Sequence, residues 1–458
     1  MKGQVMTQLA DKNTHLSNFS QFDQTAGHAP AWLDSLRRSG IDRFEQVGFP
    51  STREERWRYT NVAPIARMPF KLAHYDGQGT DLLDRYSFGD DAASELVFVN
   101  GHFVQQLSKL GRLSRGVFAG HLPDALDSRS AQLEGSLGRL ADVEANPFVA
   151  LNTGFIRDGA VIHIPRNVEI EQPIHLLFIS TTSREPAVSH PRVLIMLEEG
   201  ASGTVVESYV GGRGLYFTNA VTEISLEDRA QLDHCKLQQE SGEAFHVSTT
   251  QIRLGADARY VSHAATLGGK LSRNDLNAVM GGQHADATLN GLVFIGGEQH
   301  CDNHTILDHA EPNCPSHELY KHVLDGKSSG VFKGKILVRS GAQKTDSKQT
   351  SKAMLLSDDA VMNSMPALEI YADDVKCTHG SSSGPVDEEQ VFYLRQRGVG
   401  LEAARHLMTY AFAADITRRI KVERVRRRLE EYMALQHGLP LDLRINDLAS
   451  HDEAVKQL

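Results

Sequence analysis

Short stretches of alternating apolar and polar residues follow one another from Asn146 to about Pro385, and no long helical pattern interrupts them. Segments such as AVIHIP, IHLLFI, RVLIML, TVVESYV and AVTEISL are separated by Gly, Asp and Asn, which favour turns. Small residues recur here at intervals of 27, 28 and 29 residues, each with an apolar residue two places on: Gly203, Ala230, Ala258 and Ala287. Strands repeated with a period of roughly 20–50 residues are typical of solenoids. The sequence therefore predicts a β-helix or a related solenoid, with a β-sandwich as the alternative.

Helical patterns lie on both sides of this β-region. AWLDSLRRSGIDRFEQVGF before it and DEEQVFYLRQRG after it carry apolar residues at helical spacing. Between them, ELVFVNGHFV has two strand-like arms around Asn100-Gly101, a dipeptide that accepts the positive φ angles of a tight hairpin turn. We therefore divide the chain into an N-terminal helical domain (1–94), a β-helix core (95–385) that opens with a hairpin near 96–104, and a C-terminal helical domain (386–458).

Composition excludes several classes of protein. No apolar run approaches the roughly 18 residues that a membrane-spanning helix needs, and the N-terminus has no apolar segment of a secretory signal. The four cysteines are too few for a disulfide framework in 458 residues, which favours free thiols in a reducing compartment. A net charge of −10 favours neither nucleic acid nor an anionic membrane. We therefore expect a cytoplasmic protein that binds neither.

Two features of the C-terminal region indicate a partner protein. The stretch DITRRIKVERVRRRLEEY (415–432) has seven Lys or Arg residues against four acids, but no aromatic stacking platform accompanies the charge. Just before it, an apolar stripe with an i, i+3, i+4 rhythm is formed by Ala404, Leu407, Met408, Ala411, Phe412 and Ile416. A solvated or partner-facing helical region is the interpretation that we prefer to a nucleic-acid site.

Signatures of nucleotide binding and hydrolysis are missing. Gly326-Lys327-Ser328 matches only the end of a phosphate-binding loop, because Lys321 stands where the first glycine is needed. There is no nucleophile elbow of the Gly-x-Ser-x-Gly type and no His-Glu-x-x-His zinc motif. The sequence gives no support for an ATPase or a hydrolase.

Histidine and cysteine crowd into the stretch QHCDNHTILDHAEPNCPSHELYKH. Imidazole and thiolate are common ligands of zinc and iron. The spacing does not match a closed structural site, which needs close ligand pairs such as Cys-x-x-Cys. We interpret these imidazoles as hydrogen-bonded members of polar stacks along solenoid strands, and a metal site remains the alternative for His300, Cys301, His304, His309, Cys314, His317 and His322.

A second candidate site lies in LEIYADDVKCTHGSSSG. If Leu368 to His379 forms one extended strand, Cys377 and His379 project from the same face, about 7 Å apart at the Cα atoms, which suits two ligands of one ion. Asp373 would share that face and could orient the imidazole. The alternative is a buried structural cysteine beside a surface histidine.

These residues lie in sequence segments that resemble the SufB/SufD family, the subunits of the SUF machinery that builds iron–sulfur clusters. The resemblance is carried by CDNHTILDHAEPNCPSHELYKHVLDGKSSGVFKGKILV, QKTDSKQTSKAMLLSD, PALEIYADDVKCTHGSSSGPVDEEQVFYLRQRGV, YAFAADI and, near the N-terminus, EERWRYT. ADDVKCTHG is similar to the SufD branch of the family. The resemblance implies a right-handed parallel β-helix between helical N- and C-terminal domains.

The resemblance also implies a function. It implies a non-catalytic scaffold that pairs with a SufB-like paralogue through the β-helix and docks a SufC-like ABC ATPase on its C-terminal helices. Cys377 and His379 match residues implicated at the interface between the paralogues, where iron or a nascent cluster would be held transiently and no cofactor stably. Two other classes stay open: a β-helical polysaccharide-active enzyme, which the missing secretory and catalytic signatures disfavour, and a metal-free structural adaptor.

Overall fold

The structure is a computed structural model that describes residues 2–25, 29–75, 77–181 and 185–436. Residues 437–458 of the predicted C-terminal domain lie outside the described residues. Within these ranges the α-helices are α1 (Lys2–Thr25), α2 (Ala31–Val47), α3 (Ala63–Arg67), α4 (Thr80–Tyr86), α5 (Leu122–Ser136), α6 (Pro147–Gly154), α7 (Glu388–Gln396), α8 (Leu401–Thr417) and α9 (Glu423–Gln436). Short 3-10 turns lie at Glu55–Trp57, Gly89–Asp91 and Gln105–Leu107.

The strands form two long sheets. They are β1 (Lys71–Leu72), β2 (Ser94–Val99), β3 (His102–Phe103), β4 (Phe118–His121), β5 (Ala160–Ile164), β6 (Ile174–Ser180), β7 (Ala187–Ser189), β8 (Arg192–Leu197), β9 (Ser202–Gly211), β10 (Tyr216–Leu226), β11 (Gln231–Gln239), β12 (Phe245–Leu254), β13 (Arg259–Thr266), β14 (Leu271–Met280), β15 (Asp286–Ile295), β16 (His300–His309), β17 (Pro315–Leu324), β18 (Ser329–Val338), β19 (Asp346–Leu355), β20 (Val361–Ser364), β21 (Ala367–Ile370) and β22 (Lys376–Pro385).

Successive strands of the core alternate between the two sheets. One sheet has the order β20-β18-β16-β14-β12-β10-β8-β5-β4, and the other has the order β22-β19-β17-β15-β13-β11-β9-β6-β2-β3. The core strands pair in parallel with the strands one coil before and one coil after them, and about eight coils result. The predicted parallel β-helix is confirmed, and the β-sandwich alternative is wrong.

The four residues that we used to define the repeat are equivalent in the middle, at Ala230 and Ala258, but not at the two ends. Gly203 pairs with Leu232, and Tyr260 pairs with Ala287, so neither Gly203 nor Ala287 is equivalent to Ala230. The equivalent buried residues, each just before its strand, are Ala201, Ala230, Ala258, Ala285 and Cys314. A shift of two residues along a strand keeps a side chain on the same face. The alternating pattern alone therefore could not separate the two registers.

Each of these small residues follows a residue in the left-handed region. The φ angles lie between 55° and 68° at Gly200, Arg229, Asp257, His284 and Asn313, and Lys344 repeats the feature one coil later. Glycine is the usual choice there, because other residues pay about 1–2 kcal/mol for this conformation. Only one of the six turns uses glycine, so a search for periodic glycines does not reveal them.

The predicted hairpin is present before the coils begin. β2 and β3 pair in an antiparallel manner, and Asn100 and Gly101 have φ angles of 56° and 82° in the turn. Two helices that the sequence did not indicate, α5 and α6, follow within the range predicted as β-core. α6 begins at Pro147, where the Asn146 side chain accepts a hydrogen bond from the Phe148 N–H. Its residues are buried, so it lacks the amphipathic pattern of a surface helix.

The segment EERWRYT is held against the outer face of the first sheet by Arg273. This guanidinium is fully buried and donates to Asp302 at 2.7 Å, to Asp275 at 2.9 Å and to the Arg56 carbonyl oxygen at 2.8 Å. It also lies 3.7 Å from the centre of the Trp57 ring. The N-terminal region is thus joined to the coils by a buried charged group.

The C-terminal helices cover the outer face of the second sheet. Buried residues of α8 and α9, including Ala413, Ile416 and Leu429, pack on Cys235 and Leu292 of the coils. This packing corrects the interpretation of the α8 apolar stripe. Four of its six members, Ala404, Met408, Phe412 and Ile416, pack within the chain and not toward a partner.

The basic stretch 415–432 is largely engaged within the chain. Lys421 pairs with Asp233, Arg424 with Asp91, and Arg427 with Glu423. Arg428 stacks 3.8 Å from the centre of the Tyr86 ring. These contacts connect the stretch to the rest of the chain, while the side chains of Lys421, Arg424 and Arg427 stay more than half exposed. None of the described helices is long and apolar enough to cross a membrane.

Candidate functional site

The last strand of the solenoid, β22, carries Cys377 and His379. Among the described strands β22 pairs only with β19, so its other edge is open. The Lys376 N–H donates to the Thr345 carbonyl oxygen of the preceding coil. Because alternate residues of a strand direct their backbone groups to opposite sides, those of Cys377, His379 and Ser381 point to the open edge.

The expected single strand from Leu368 to His379 is not found. The chain forms β21, turns through residues 371–375 and then forms β22, and these two strands belong to different sheets. Asp373 lies exposed on this turn, so the expectation that it shares a strand face with Cys377 and His379 is wrong. The turn was not predicted because Tyr-Ala-Asp-Asp-Val contains neither glycine nor proline, and we did not treat Asp373-Asp374 as a turn signal.

Cys377 and His379 do share one face of β22. Cys377 pairs in register with Ser347, and His379 pairs with Gln349, both of which are buried inside the coil below. The two side chains therefore sit at inward positions of a coil that no further coil covers. Cys377 is half-buried and packs against a cluster that contains Ile336 and Val338, whereas His379 is exposed. Burial raises the pKa of the Cys377 thiol, so the free thiol is mainly protonated near neutral pH.

Polar side chains continue beneath both residues. Below Cys377, the hydroxyl groups of Ser347 and Ser316 lie 2.7 Å apart, and His309 Nε2 lies 3.0 Å from Ser316 Oγ. Below His379, Gln349 donates from Nε2 to Glu318 Oε2 at 2.6 Å. Burial raises the pKa of the Glu318 carboxyl to about 7. We predicted polar stacks for imidazoles such as His309, but not their continuation through Ser347 and Gln349, although Ser347, Gln349 and Ser351 alternate in the sequence as inward residues of one strand.

The histidine and cysteine residues of the stretch 300–322 do not converge. His300 contacts Thr60 and Ser329, and His304 contacts Asp302 on the outer face. Cys301 and His309 instead lie inside the coils. Within the described ranges there is no group of three or more His, Cys, Asp or Glu side chains that could hold a metal ion. The interpretation of hydrogen-bonded imidazoles holds for His300, His304 and His309.

The buried positions of the other three cysteines indicate a structural role. Cys235 is buried under the C-terminal helices, Cys301 lies inside the coil, and Cys314 is the small residue that precedes β17. Burial raises the pKa of Cys235 and that of Cys301 to about 12, and it also raises the pKa of Cys314. Of the four thiols, Cys377 is the one that reaches the surface.

Fold and site together define a class of protein: a parallel β-helix with helices at both ends, in which a thiol and an imidazole stand at an open sheet edge. Comparison with known sequences then gives the family. The chain matches the family described as "SUF system FeS cluster assembly, SufBD core domain" over residues 178–412 and the SufBD protein N-terminal region over residues 11–176. This chain belongs to the SufB/SufD family of the SUF iron–sulfur cluster assembly system.

Individual relatives agree with this membership. An iron–sulfur cluster assembly SufBD family protein of Synechocystis is 32% identical over 415 residues, which cover 89% of this chain and 91% of the relative. The iron–sulfur cluster assembly protein SufD of Escherichia coli is 31% identical over 84% of this chain and 88% of its own. SufD of Bacillus subtilis is 26% identical over 92% and 97%. Family membership argues against the polysaccharide-active alternative.

Proposed function

We propose that this chain is a non-catalytic scaffold subunit of a cytoplasmic SUF complex. In this proposal it pairs with a SufB-like paralogue through the open edge of β22 and docks a SufC-like ABC ATPase through its C-terminal helices. Iron or a nascent cluster is cargo, held transiently at the pairing interface and not kept as a resident cofactor. The observation that supports the proposal is the placement of a thiol and an imidazole on an open edge strand.

Physical reasons connect this edge to a partner chain. An exposed ten-residue edge strand offers a row of backbone donors and acceptors to another strand. Soft thiolate and borderline imidazole are suitable ligands for iron. Two ligands leave a four-coordinate ion incomplete, so a partner strand that pairs here can supply the rest. A partner strand that pairs with β22 would then also bring the remaining iron ligands to Cys377 and His379.

Blocking one outward backbone group tests the pairing. We expect Ser381→Pro to reduce co-purification of the SufB-like partner at least about tenfold, because proline removes an N–H that points to the open edge and its ring obstructs a second strand. Ser381→Ala keeps that N–H and is the matched control. Both variants are co-expressed with the partner and compared by size-exclusion chromatography. Pairing of the proline variant at the level of the alanine variant would refute the use of this edge.

The ATPase surface is assigned to α7, because the α8 stripe is largely internal. Phe392 is 59% exposed and Tyr393 is 43% exposed, and the side chain of Leu401 at the start of α8 is also exposed. Large apolar side chains exposed together mark interaction sites. These residues lie in the C-terminal helical region, where the family resemblance implies that the ATPase docks.

A double variant tests this surface without removing the helices. We expect Phe392→Ser with Tyr393→Ser to weaken binding of the ATPase subunit by about 10–100-fold, since the two exposed aromatic rings together contribute roughly 1.4–2.8 kcal/mol at an interface. The control is Leu435→Ser, at an exposed apolar residue of α9. Titration of purified ATPase against each variant gives the affinities. Equal affinities of the double variant and the Leu435→Ser control would contradict docking at α7. Truncation near Pro385 is unsuitable, because it would uncover the buried residues beneath α8 and α9.

A further inference from the structure

Three inward positions at the end of the solenoid form a column in register. Glu318 of β17 pairs with Gln349 of β19, and Gln349 pairs with His379 of β22. Side chains at paired positions of neighbouring strands point the same way and are about 4.8 Å apart at the backbone. Gln349 is therefore the buried neighbour directly beneath His379.

The orientation of the Gln349 amide is determined from below. Its Nε2 donates to Glu318 Oε2 at 2.6 Å, and above the Glu318 pKa of about 7 the ionised carboxylate only accepts, so the NH2 end of the amide faces it. The amide oxygen, Oε1, consequently faces away from Glu318. Oε1 is buried and has no hydrogen-bond partner among the described residues, although the Gln349 side chain is only 1% exposed. A buried acceptor without a donor destabilises the protein, so a donor is expected to reach it.

The opposite sheet leaves space for this amide. At Gly334 of β18, a Cβ atom would lie 2.2 Å from Gln349 Nε2 and 2.8 Å from a Phe332 ring carbon. No other side chain fits at that position without moving the glutamine or the ring. Glycine within a strand weakens it and often marks a close approach of another group. The absence of a side chain at Gly334 thus provides the space that the Gln349 amide occupies.

We propose that Gln349 is a positioning residue for His379, which extends the proposed function and depends on it. The two groups are not hydrogen-bonded in the structure, where the His379 side chain is exposed one strand above. When a partner strand covers His379, its ring N–H donates a hydrogen bond to Gln349 Oε1. The ring nitrogen that faces Gln349 then carries the proton, and the opposite nitrogen is left with its lone pair free for iron. Carbonyl or carboxylate oxygens commonly fix the tautomer of a ligating histidine in this way.

The first measurement determines the tautomer of the His379 ring before any iron is added. In the purified SufB–SufC complex with 15N-histidine in this chain, the His379 signals are assigned by their loss in His379→Ala. Long-range 1H–15N spectra at alkaline pH then give the tautomer of the neutral ring. We expect one tautomer in the wild type and a mixture in Gln349→Leu, whereas Ser351→Ala, at the next inward position of β19, should leave one tautomer.

Iron binding gives the second readout. Gln349→Leu should weaken iron binding by about 10–100-fold, the usual effect of losing an outer-shell partner. An unchanged tautomer in Gln349→Leu overturns the role of Gln349, even if His379→Ala abolishes iron binding and so supports the proposed function. If Gln349→Leu does not fold, Gln349→Met in a Glu318→Gln background removes the same acceptor and leaves no carboxyl without its donor. The same two outcomes apply to that variant.

Discussion

Replacing Arg273 with alanine will lower the free energy of unfolding by about 3–5 kcal/mol, the usual cost of removing one partner from a buried ion pair. The variant leaves Asp275 and Asp302 buried without their cation and takes away the surface on which Trp57 lies. Burial opposes ionisation of Asp302, but the charges of Arg273 and His304 outweigh it and hold the pKa of that carboxyl well below its usual range. Removing Arg273 therefore removes most of what keeps this carboxylate ionised.

Chemical denaturation measures this loss, with tryptophan fluorescence as the probe because Trp57 is one of only two tryptophans. Arg259→Ala is the matched control, since Arg259 is half-exposed and pairs with Asp286 at 3.8 Å, and surface pairs contribute about 0–1 kcal/mol. Equal stability of the two variants would contradict the role of Arg273. The Asp302 pKa is lower in the folded state, so its contribution is present above the unfolded-state pKa. It is lost as the pH falls toward the folded-state value.

Substituting Cys377 by serine and His379 by alanine will reduce the iron and sulfide bound to the purified complex by at least about tenfold. Loss of an outer-shell partner alone costs metal affinity about 10–100-fold, and these residues are proposed as ligands. Both side chains lie at the open end of the coil, so we expect each change to cost about 1 kcal/mol of stability or less. The complex should therefore still assemble.

Two measurements are needed together: the melting temperature of the complex, and its iron and sulfide content after expression. Cys314→Ser is the control, because it alters a thiol inside the turn that the proposal does not assign to iron. Iron and sulfide at the wild-type level in both site variants would leave the metal-free adaptor as the better description. Dissociation of the complex would assign the pair to packing instead.

The sequence predicted the architecture better than it predicted the site. Alternation and a period near 28 residues are properties of every coil, so small errors in individual positions did not hide the solenoid. The turn at 371–375 does not repeat along the chain, and its Asp373-Asp374 pair is a weaker turn signal than glycine or proline. The predicted strand was therefore too long, and Asp373 was placed on the wrong face. Gln349 was missed because the significance of a buried glutamine depends on which residue of the next coil lies above it, and that register was unknown.

The C-terminal helices show another limit. The stripe on α8 is apolar whether it faces a partner or its own sheet, and periodicity alone does not distinguish the two. Only the outer face of the second sheet, with Cys235 and Leu292, shows that the helix has an internal neighbour. The exposed aromatic residues of α7 then become the candidates for docking.

The burial of three thiols has a consequence for chemical selectivity. A protein of a cluster-assembly system works among iron, sulfide and oxidants, all of which react with accessible thiolates. Cys235, Cys301 and Cys314 are shielded by packing and are kept protonated by their raised pKa values. The fold thereby shields three of its four thiols, and Cys377 remains the thiol that stray metal ions and oxidants can reach.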